Sequence, residues 1–195
     1  ERVGFGPHEI AYLPQISEID RSFPASVSDL IGLGLWRRRG LFGAITRADR
    51  AEMAAALDAV GLNGFSGRQI DTLSGGQLQR SLFARVLLQK ARIILLDEPF
   101  TAIDERTVAD LLRLVAQWHT EGRTVIAVLH DIEMVRHHFP RTLLMAREPV
   151  ASDETPAVLT PTHLERARAM PEAWDEHAPW HDAGGHAHGH HDAAA

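Results

Sequence analysis

The chain has 195 residues, 45% hydrophobic and 24% charged, enough to bury a core in one domain, or one domain with a tail. It contains no cysteine, which excludes disulfides and thiolate metal sites, and no apolar run nears the roughly 18 residues of a membrane span. The formal charge is −6, of which Asp175, Glu176, Asp182 and Asp192 supply −4, so the nearly neutral body argues against general nucleic-acid binding.

Ile10-Ala11-Tyr12-Leu13 is a short apolar run stopped by Pro14, which suits a strand of four or five residues. Residues 16–90 read as mainly helical. Ser26 offers a cap before Val27-Ser28-Asp29-Leu30-Ile31, and Thr46 with Asp49 opens a second helix that ends near Gly61. A third spans Gly75 to Gln89, with Leu78, Leu82 and Val86 four apart and Phe83 and Leu87 alongside. After Lys90, the only lysine, the texture changes. Ile93-Ile94-Leu95-Leu96 and Thr124-Val125-Ile126-Ala127-Val128-Leu129 are continuous apolar runs, expected as strands of a parallel sheet covered on both faces. Between them Val108, Leu111, Leu112 and Val115 mark a helical face over Thr107–Trp118. A helix around Ile132–His137 precedes a third run, Thr142-Leu143-Leu144-Met145. This alternation is that of an α/β protein with a crossover-connected sheet. From about Trp174 the chain becomes Ala, Gly, His and Asp, a composition that cannot form a core alone.

The first chemical signal is Asp97-Glu98, closing an apolar run. Carboxylates there would lie at the carboxyl edge of a sheet, where α/β proteins bind ligands. One can hold a hydrated Mg²⁺ and the next can orient a water, although an acidic turn after a strand reads the same way. Leu73-Ser74-Gly75-Gly76-Gln77 lies directly before a helix. Its glycines let backbone approach an anion at the helix start, while Ser followed by Gly-Gly also suits a plain helix cap.

Taken together and in order, these segments resemble the ABC-type ATPases. Leu73–Gln77 matches the family's signature motif, and Ile93–Pro99 looks like its Walker B strand with the catalytic glutamate. Gln15, in Tyr12-Leu13-Pro14-Gln15, is placed like the Q-loop glutamine, Ile103-Asp104 like the D-loop and His130 like the switch histidine. The resemblance implies that Asp97 and Gln15 help hold Mg²⁺, that Glu98 polarises the water attacking ATP, and that His130 helps position it. It implies that Ser74 and Gly76 bind the γ-phosphate of ATP held by a second copy, that Gly75, Gln77 and Gln15 also belong to the nucleotide site, and that the active unit is a head-to-tail homodimer with Asp104 at the interface and among the nucleotide-binding residues. The implied fold class is α/β, a partial P-loop NTPase core with a mainly parallel sheet and an ABC-type helical subdomain, its amino-terminal strands absent.

One family element is not in the sequence. No Gly-rich loop ending in Gly-Lys-Ser/Thr is present, and Lys90 has no glycine-rich loop before it. In the family that loop precedes the Q-loop glutamine, here already residue 15. The expectation is a portion of a longer protein, inactive by itself. The expected organisation is residues 1–15 as the end of a core segment, 16–90 as the helical subdomain, 91–150 as the returning core, 151–175 as an extension and 176–195 as a His-rich tail.

Tyr12-Leu13-Pro14-Gln15, Phe23-Pro24-Ala25-Ser26-Val27 and Val158-Leu159-Thr160-Pro161 resemble the zinc/manganese/iron-type importers. The implied role is ATP hydrolysis driving uptake of zinc or a similar metal, at the cytoplasmic face of the membrane, with a separate permease and a substrate-binding protein. Six of the twelve histidines lie between His177 and His191, and His186, His188, His190 and His191 are candidate Zn²⁺ ligands. Arg37-Arg38-Arg39 falls in the segment that in this family faces the permease, and equally suits a solvated loop. Two rival readings are a soluble ABC ATPase without a permease and a metal-binding protein on a vestigial ATPase scaffold.

Overall fold

Three strands that are far apart in sequence lie side by side. The structure, a computed structural model, describes residues 9–40, 43–101 and 103–170. In chain order its elements are β1 (Ile10–Leu13), α1 (Val27–Gly32), α2 (Trp36–Arg39), α3 (Arg47–Ala59), α4 (Gly75–Gln89), β2 (Ile93–Asp97), α5 (Glu105–Thr120), β3 (Thr124–Val128), α6 (Ile132–His138), β4 (Arg141–Met145), β5 (Pro149–Glu154), α7 (Thr155–Val158) and α8 (Pro161–Ala169). The chain divides into two compact units, residues 1–140 and 141–195.

In the first unit β1, β2 and β3 form a parallel sheet in that order, with Leu13 opposite Leu96 and Leu96 opposite Ala127. Successive side chains alternate between faces. Ala11, Leu13, Ile94 and Leu96, with the partly buried Val125 and Ala127, belong to the core. The other face carries Tyr12, Leu95 and Ile126, and beyond them Asp97 and Val128. Here Tyr12, Ile126 and Val128 are 46%, 55% and 52% exposed. The apolar runs of β2 and β3 predict cover on both faces. Among the described residues only one face is covered.

The helical segment is held by local caps. Ser26, Thr46 and Ser74 each accept a hydrogen bond from the backbone N–H three residues on, and the side chains of Asp29, Asp49 and Gln77 each accept one in return from the cap residue's N–H. Helix α4 is buried on most sides: Leu78, Leu82, Phe83, Ala84 and Val86 are inaccessible, as expected of a central helix that packs on α1, α3, α5 and β1. Gly34 is required where the turn before α2 crosses α4, because a Cβ there would stand 2.4 Å from the Arg85 carbonyl oxygen.

Asp49 is 1% exposed and accepts from Thr46 Oγ1 (2.7 Å), Arg39 Nη2 (2.7 Å) and Arg38 Nη2 (3.2 Å). The Arg39 guanidinium, with the Thr46 hydroxyl and amide, holds its carboxyl far below the usual range. Arg37 donates to the Ile10 carbonyl (2.6 Å). The arginine cluster, read from sequence as a surface for a partner or for solvent, is thus engaged within the unit. A carboxyl pKa depressed on folding stabilises the native state fully above the ordinary Asp value of about 3.9, and that stabilisation is lost as pH falls toward the depressed value. Asp49→Asn is therefore expected to melt below wild type by a constant margin above about pH 5 and by a shrinking one below about pH 4. Thermal unfolding across pH 3–7 measures this, and a pH-independent margin would refute it.

In the second unit β4 pairs antiparallel with β5, Leu143 facing Ser152, and α7 packs against both strands. The run Thr142–Met145 is therefore a strand, as its composition suggests, but it does not continue the parallel sheet. The connection to β5 is only three residues, 146–148, too short for the crossover that a parallel partner needs.

Candidate functional site

The chemistry-bearing residues follow the carboxyl ends of adjacent parallel strands. Gln15 comes two residues after β1, Asp97 ends β2 with Glu98 next, and His130 comes two residues after β3. Because the order is β1-β2-β3, three segments far apart in sequence open onto one sheet edge, the usual ligand position in such folds.

Glu98 is one of two non-glycine residues with positive φ among those described (φ 41°). Its N–H donates to the Val128 carbonyl (3.2 Å), extending the ladder one residue past β2, and its backbone then turns sharply. This is a sparsely populated conformation, of the kind that collects at functional sites. The side chain meets His130, with Nε2 2.5 Å from Oε1. An ionised carboxylate only accepts, so Nε2 carries the proton. Thr101 Oγ1 donates to the other carboxylate oxygen (3.3 Å). The hydrogen bond from His130 is the main cause that lowers the Glu98 pKa below the usual carboxylate range. Directly after His130, Asp131 caps α6 by accepting from the Met134 N–H (3.0 Å), which sets the turn that presents the imidazole.

Asp97 Oδ2 accepts from the Tyr12 hydroxyl (3.1 Å). Gln15 Oε1 accepts from Ser17 Oγ (3.3 Å), and no hydrogen bond joins Gln15 to Asp97 or Glu98 among the described residues. Residues near this edge fit a hydrated Mg²⁺, which uses one or two carboxylates together with waters and phosphate oxygens. Asp97 and Glu98 supply oxygens of that kind, and among the described residues no group of three or more His, Asp or Glu forms a protein-only metal cage. The described residues include no glycine-rich loop ending in Gly-Lys-Ser/Thr to cradle phosphates at this edge. Lys90 sits at the end of α4, paired with Glu52 at 3.3 Å, far in sequence from any glycine-rich loop.

The signature segment forms a second group. Ser74 Oγ accepts from the Gln77 N–H (3.2 Å) and Gln77 Oε1 accepts from the Ser74 N–H (3.0 Å). The serine keeps its own hydroxyl proton to donate. Gly75 opens α4. A Cβ on Gly76 would stand 3.4 Å from Asp104 Oδ2 and 3.5 Å from Thr107 Oγ1, so the starts of α4 and α5 touch. Asp104 caps α5, accepting from the Thr107 N–H (2.9 Å) and hydroxyl (2.7 Å). Arg80 Nη2 donates to Thr107 Oγ1 (3.1 Å) and Asp110 Oδ2 (2.7 Å), and Gln79 Nε2 donates to the Pro99 carbonyl (2.7 Å). Arg21 donates to the Leu73 carbonyl, tying the segment after Gln15 to the approach to Ser74.

Glu98 with His130, and Ser74–Gln77 with Asp104, are therefore two clusters, and no hydrogen bond joins them among the described residues. Motif reading gave no role to Tyr12, Gln79, Arg80 or Thr101. Tyr12 shares a face with Asp97 only through the register of β1 on β2, which places it opposite Leu95. The tail histidines His186, His188, His190 and His191 lie outside the described residues.

A family model described as ABC transporter matches residues 3–101, just over half of the chain. The chain is 40% identical over 162 residues to the manganese transport system ATP-binding protein MntB of Listeria monocytogenes, covering 82% of this chain and 66% of that one. It is 34% identical over 158 residues to the zinc transport system ATP-binding protein TroB of Treponema pallidum, covering 81% and 59%. A solved structure ascribed to a metal-chelate type ABC transporter in an inward-facing conformation superposes with a TM-score of 0.76 at 29% identity, over 84% of this chain and 64% of that one. The chain spans 56–66% of the length of the curated relatives it matches. The ordered motifs, the shared sheet edge and the matched span agree, and the chain belongs to the ABC transporter family.

Proposed function

We propose that this chain is part of the ATP-binding subunit of an importer for zinc, manganese or a similar divalent metal. The observation that carries this reading is the Glu98–His130 contact at the sheet edge beside Asp97. In this reading Glu98 accepts the proton of the attacking water, and the hydrogen bond from His130 fixes where that carboxylate points. Asp97 and Gln15 face the Mg²⁺ side. When bound, MgATP supplies the phosphoryl group and the charge neutralisation that phosphoryl transfer needs. Ser74–Gln77 offers the free N–H groups and hydroxyl of a helix start to phosphate on a second, head-to-tail copy, with Asp104 beside it.

The open sheet face and the relatives' greater length support function within a longer protein, whose further residues would supply the phosphate cradle. The names of MntB and TroB support a metal cargo and a place in a transport system. The same proposal includes a permease that carries the metal and a substrate-binding protein that delivers it. No helix among the described residues is long and apolar enough to cross a membrane. In this reading the subunit attaches to the membrane's cytoplasmic face through that permease. In the same reading the tail binds Zn²⁺ through His186, His188, His190 and His191.

Two experiments test this. The 195-residue chain alone is expected to show no ATP turnover, whereas the longer protein, reconstituted with its permease in vesicles, takes up radioactive zinc or manganese when given ATP. ATP-driven activity without uptake of either metal would refute the cargo. Calorimetric Zn²⁺ titration of the chain with and without residues 176–195 is expected to lose its binding heat with the tail. Equal heats would exclude the tail site.

A further inference from the structure

Tyr12 is the chain's only tyrosine, and it occupies a particular place on the sheet. On β1 it is opposite Leu95, so Asp97 lies on the neighbouring strand, two residues further along and on the same face. Such a diagonal pair is beyond the reach of short side chains and within that of an aromatic ring. The phenol spans it, and its hydroxyl donates to Asp97 Oδ2 at 3.1 Å.

The backbone beneath the ring is anchored independently. β1 is an edge strand among the described residues, and an edge leaves carbonyls unpaired. Arg85 Nη2, from the buried α4, donates to the Tyr12 carbonyl (3.2 Å), and Arg37 donates to that of Ile10 (2.6 Å). The ring is thus held at its base by the helical segment and at its tip by Asp97. Asp97 Oδ1 accepts no hydrogen bond among the described residues. One oxygen is occupied and the other is open.

We propose that Tyr12 is the positioning residue of the Asp97 carboxylate, its hydroxyl fixing Oδ2 so that Oδ1 is the oxygen offered to a divalent cation at the sheet edge. The inference rests on the reading of Asp97 as the metal-facing carboxylate. It adds that this carboxylate is oriented from the strand leading to Gln15, so metal binding at β2 is coupled to the position of β1. The phenol keeps its proton and transfers nothing.

The lone tyrosine makes the contact directly observable. The full chain, carrying ¹³C at the tyrosine ring Cζ, has a single Cζ resonance. Asp97→Ala is expected to move that resonance; a signal indifferent to the substitution would overturn the proposal by showing that the contact is not made. Mn²⁺ alone serves as the metal probe, read locally by paramagnetic broadening of the methyl signals of Val128, which is paired with Asp97 across the ladder. Broadening is expected in wild type and absent in Asp97→Ala. Tyr12→Phe, which keeps the ring and removes only the donor, should raise the Mn²⁺ concentration at half-broadening by about 3- to 10-fold, the effect of one ordinary hydrogen bond. An unchanged midpoint would overturn the positioning role. If Mn²⁺ leaves Val128 untouched in wild type while the Cζ signal still responds to Asp97→Ala, the metal reading of Asp97 fails and takes the proposal with it. If Asp97→Ala does not fold, Asp97→Asn replaces it: the loss of charge should still move the Cζ signal and abolish the Val128 broadening.

Discussion

Glu98→Gln in the longer protein is expected to bind ATP as tightly as wild type and to hydrolyse it about 100- to 10,000-fold more slowly, the range for removing a positioned general base. Glutamine keeps the side chain's length, its amide oxygen can still accept from His130 Nε2, and the amide nitrogen that takes the place of the other oxygen donates to Thr101 Oγ1 instead. What it loses is the charge that takes a proton from water. Nucleotide affinity by equilibrium binding, with single-turnover phosphate release, separates the two quantities. Hydrolysis within tenfold of wild type would sink the assignment of Glu98. His130→Ala gives an independent check with a defined sign. His130 is the main cause holding the Glu98 carboxyl below its ordinary range, so its removal should raise that pKa. The shift is read at the Glu98 ¹³Cδ resonance, and a titration curve that stays in place would show the contact to be electrostatically idle.

The second large effect concerns the core. Trp118 on α5 is inaccessible to solvent and stacks on Phe83 of α4, with ring centroids 5.7 Å apart and planes 13° apart. Phe83 in turn faces Phe100, just after Glu98, at 6.4 Å. This aromatic stack joins the signature helix, the helix capped by Asp104 and the segment after Glu98, so the core beneath both clusters is one body. Trp118→Ala should cost about 3–5 kcal/mol, from lost transfer energy and an unfilled cavity. That is a large part of the roughly 5–15 kcal/mol of a typical domain. Trp118 Nε1 is buried without a hydrogen-bond partner among the described residues, so Trp118→Phe forfeits no such bond and should cost markedly less. Urea unfolding followed by circular dichroism ranks the two, and an alanine variant within about 1 kcal/mol of wild type would contradict the packing described.

Much of the secondary structure was legible because its causes are local. The start of α4 follows from Ser74 and Gln77, and the start of α3 from Thr46 and Asp49, in each case through bonds between residues three apart. The strands show as apolar runs for an equally local reason. The same locality explains the misreading of Thr142–Met145. Composition identifies a strand but does not choose its partner, and the short connection to β5 chose it here. The arginine cluster was open for a similar reason, because the buried carboxylate that engages Arg38 and Arg39 lies about three helical turns away in sequence.

By itself, then, the sequence determined strands β1 to β4 and helices α1, α3, α4, α5 and α6, though not α2, β5, α7 or α8, the caps at Ser26, Thr46 and Ser74, and that Gln15, Asp97, Glu98 and His130 each stand at or just past a strand's end. Those are consequences of hydrogen bonds and alternation within a few residues. Only the tertiary structure decided that the three strands are neighbours, that Glu98 meets His130 across 32 residues of chain, that Gly76 rests against Asp104, and that the Tyr12 hydroxyl holds Asp97. Strand order and register arise from many weak apolar contacts between distant segments, satisfied together when Leu13, Leu96 and Ala127 share the core face. No window of sequence contains that sum.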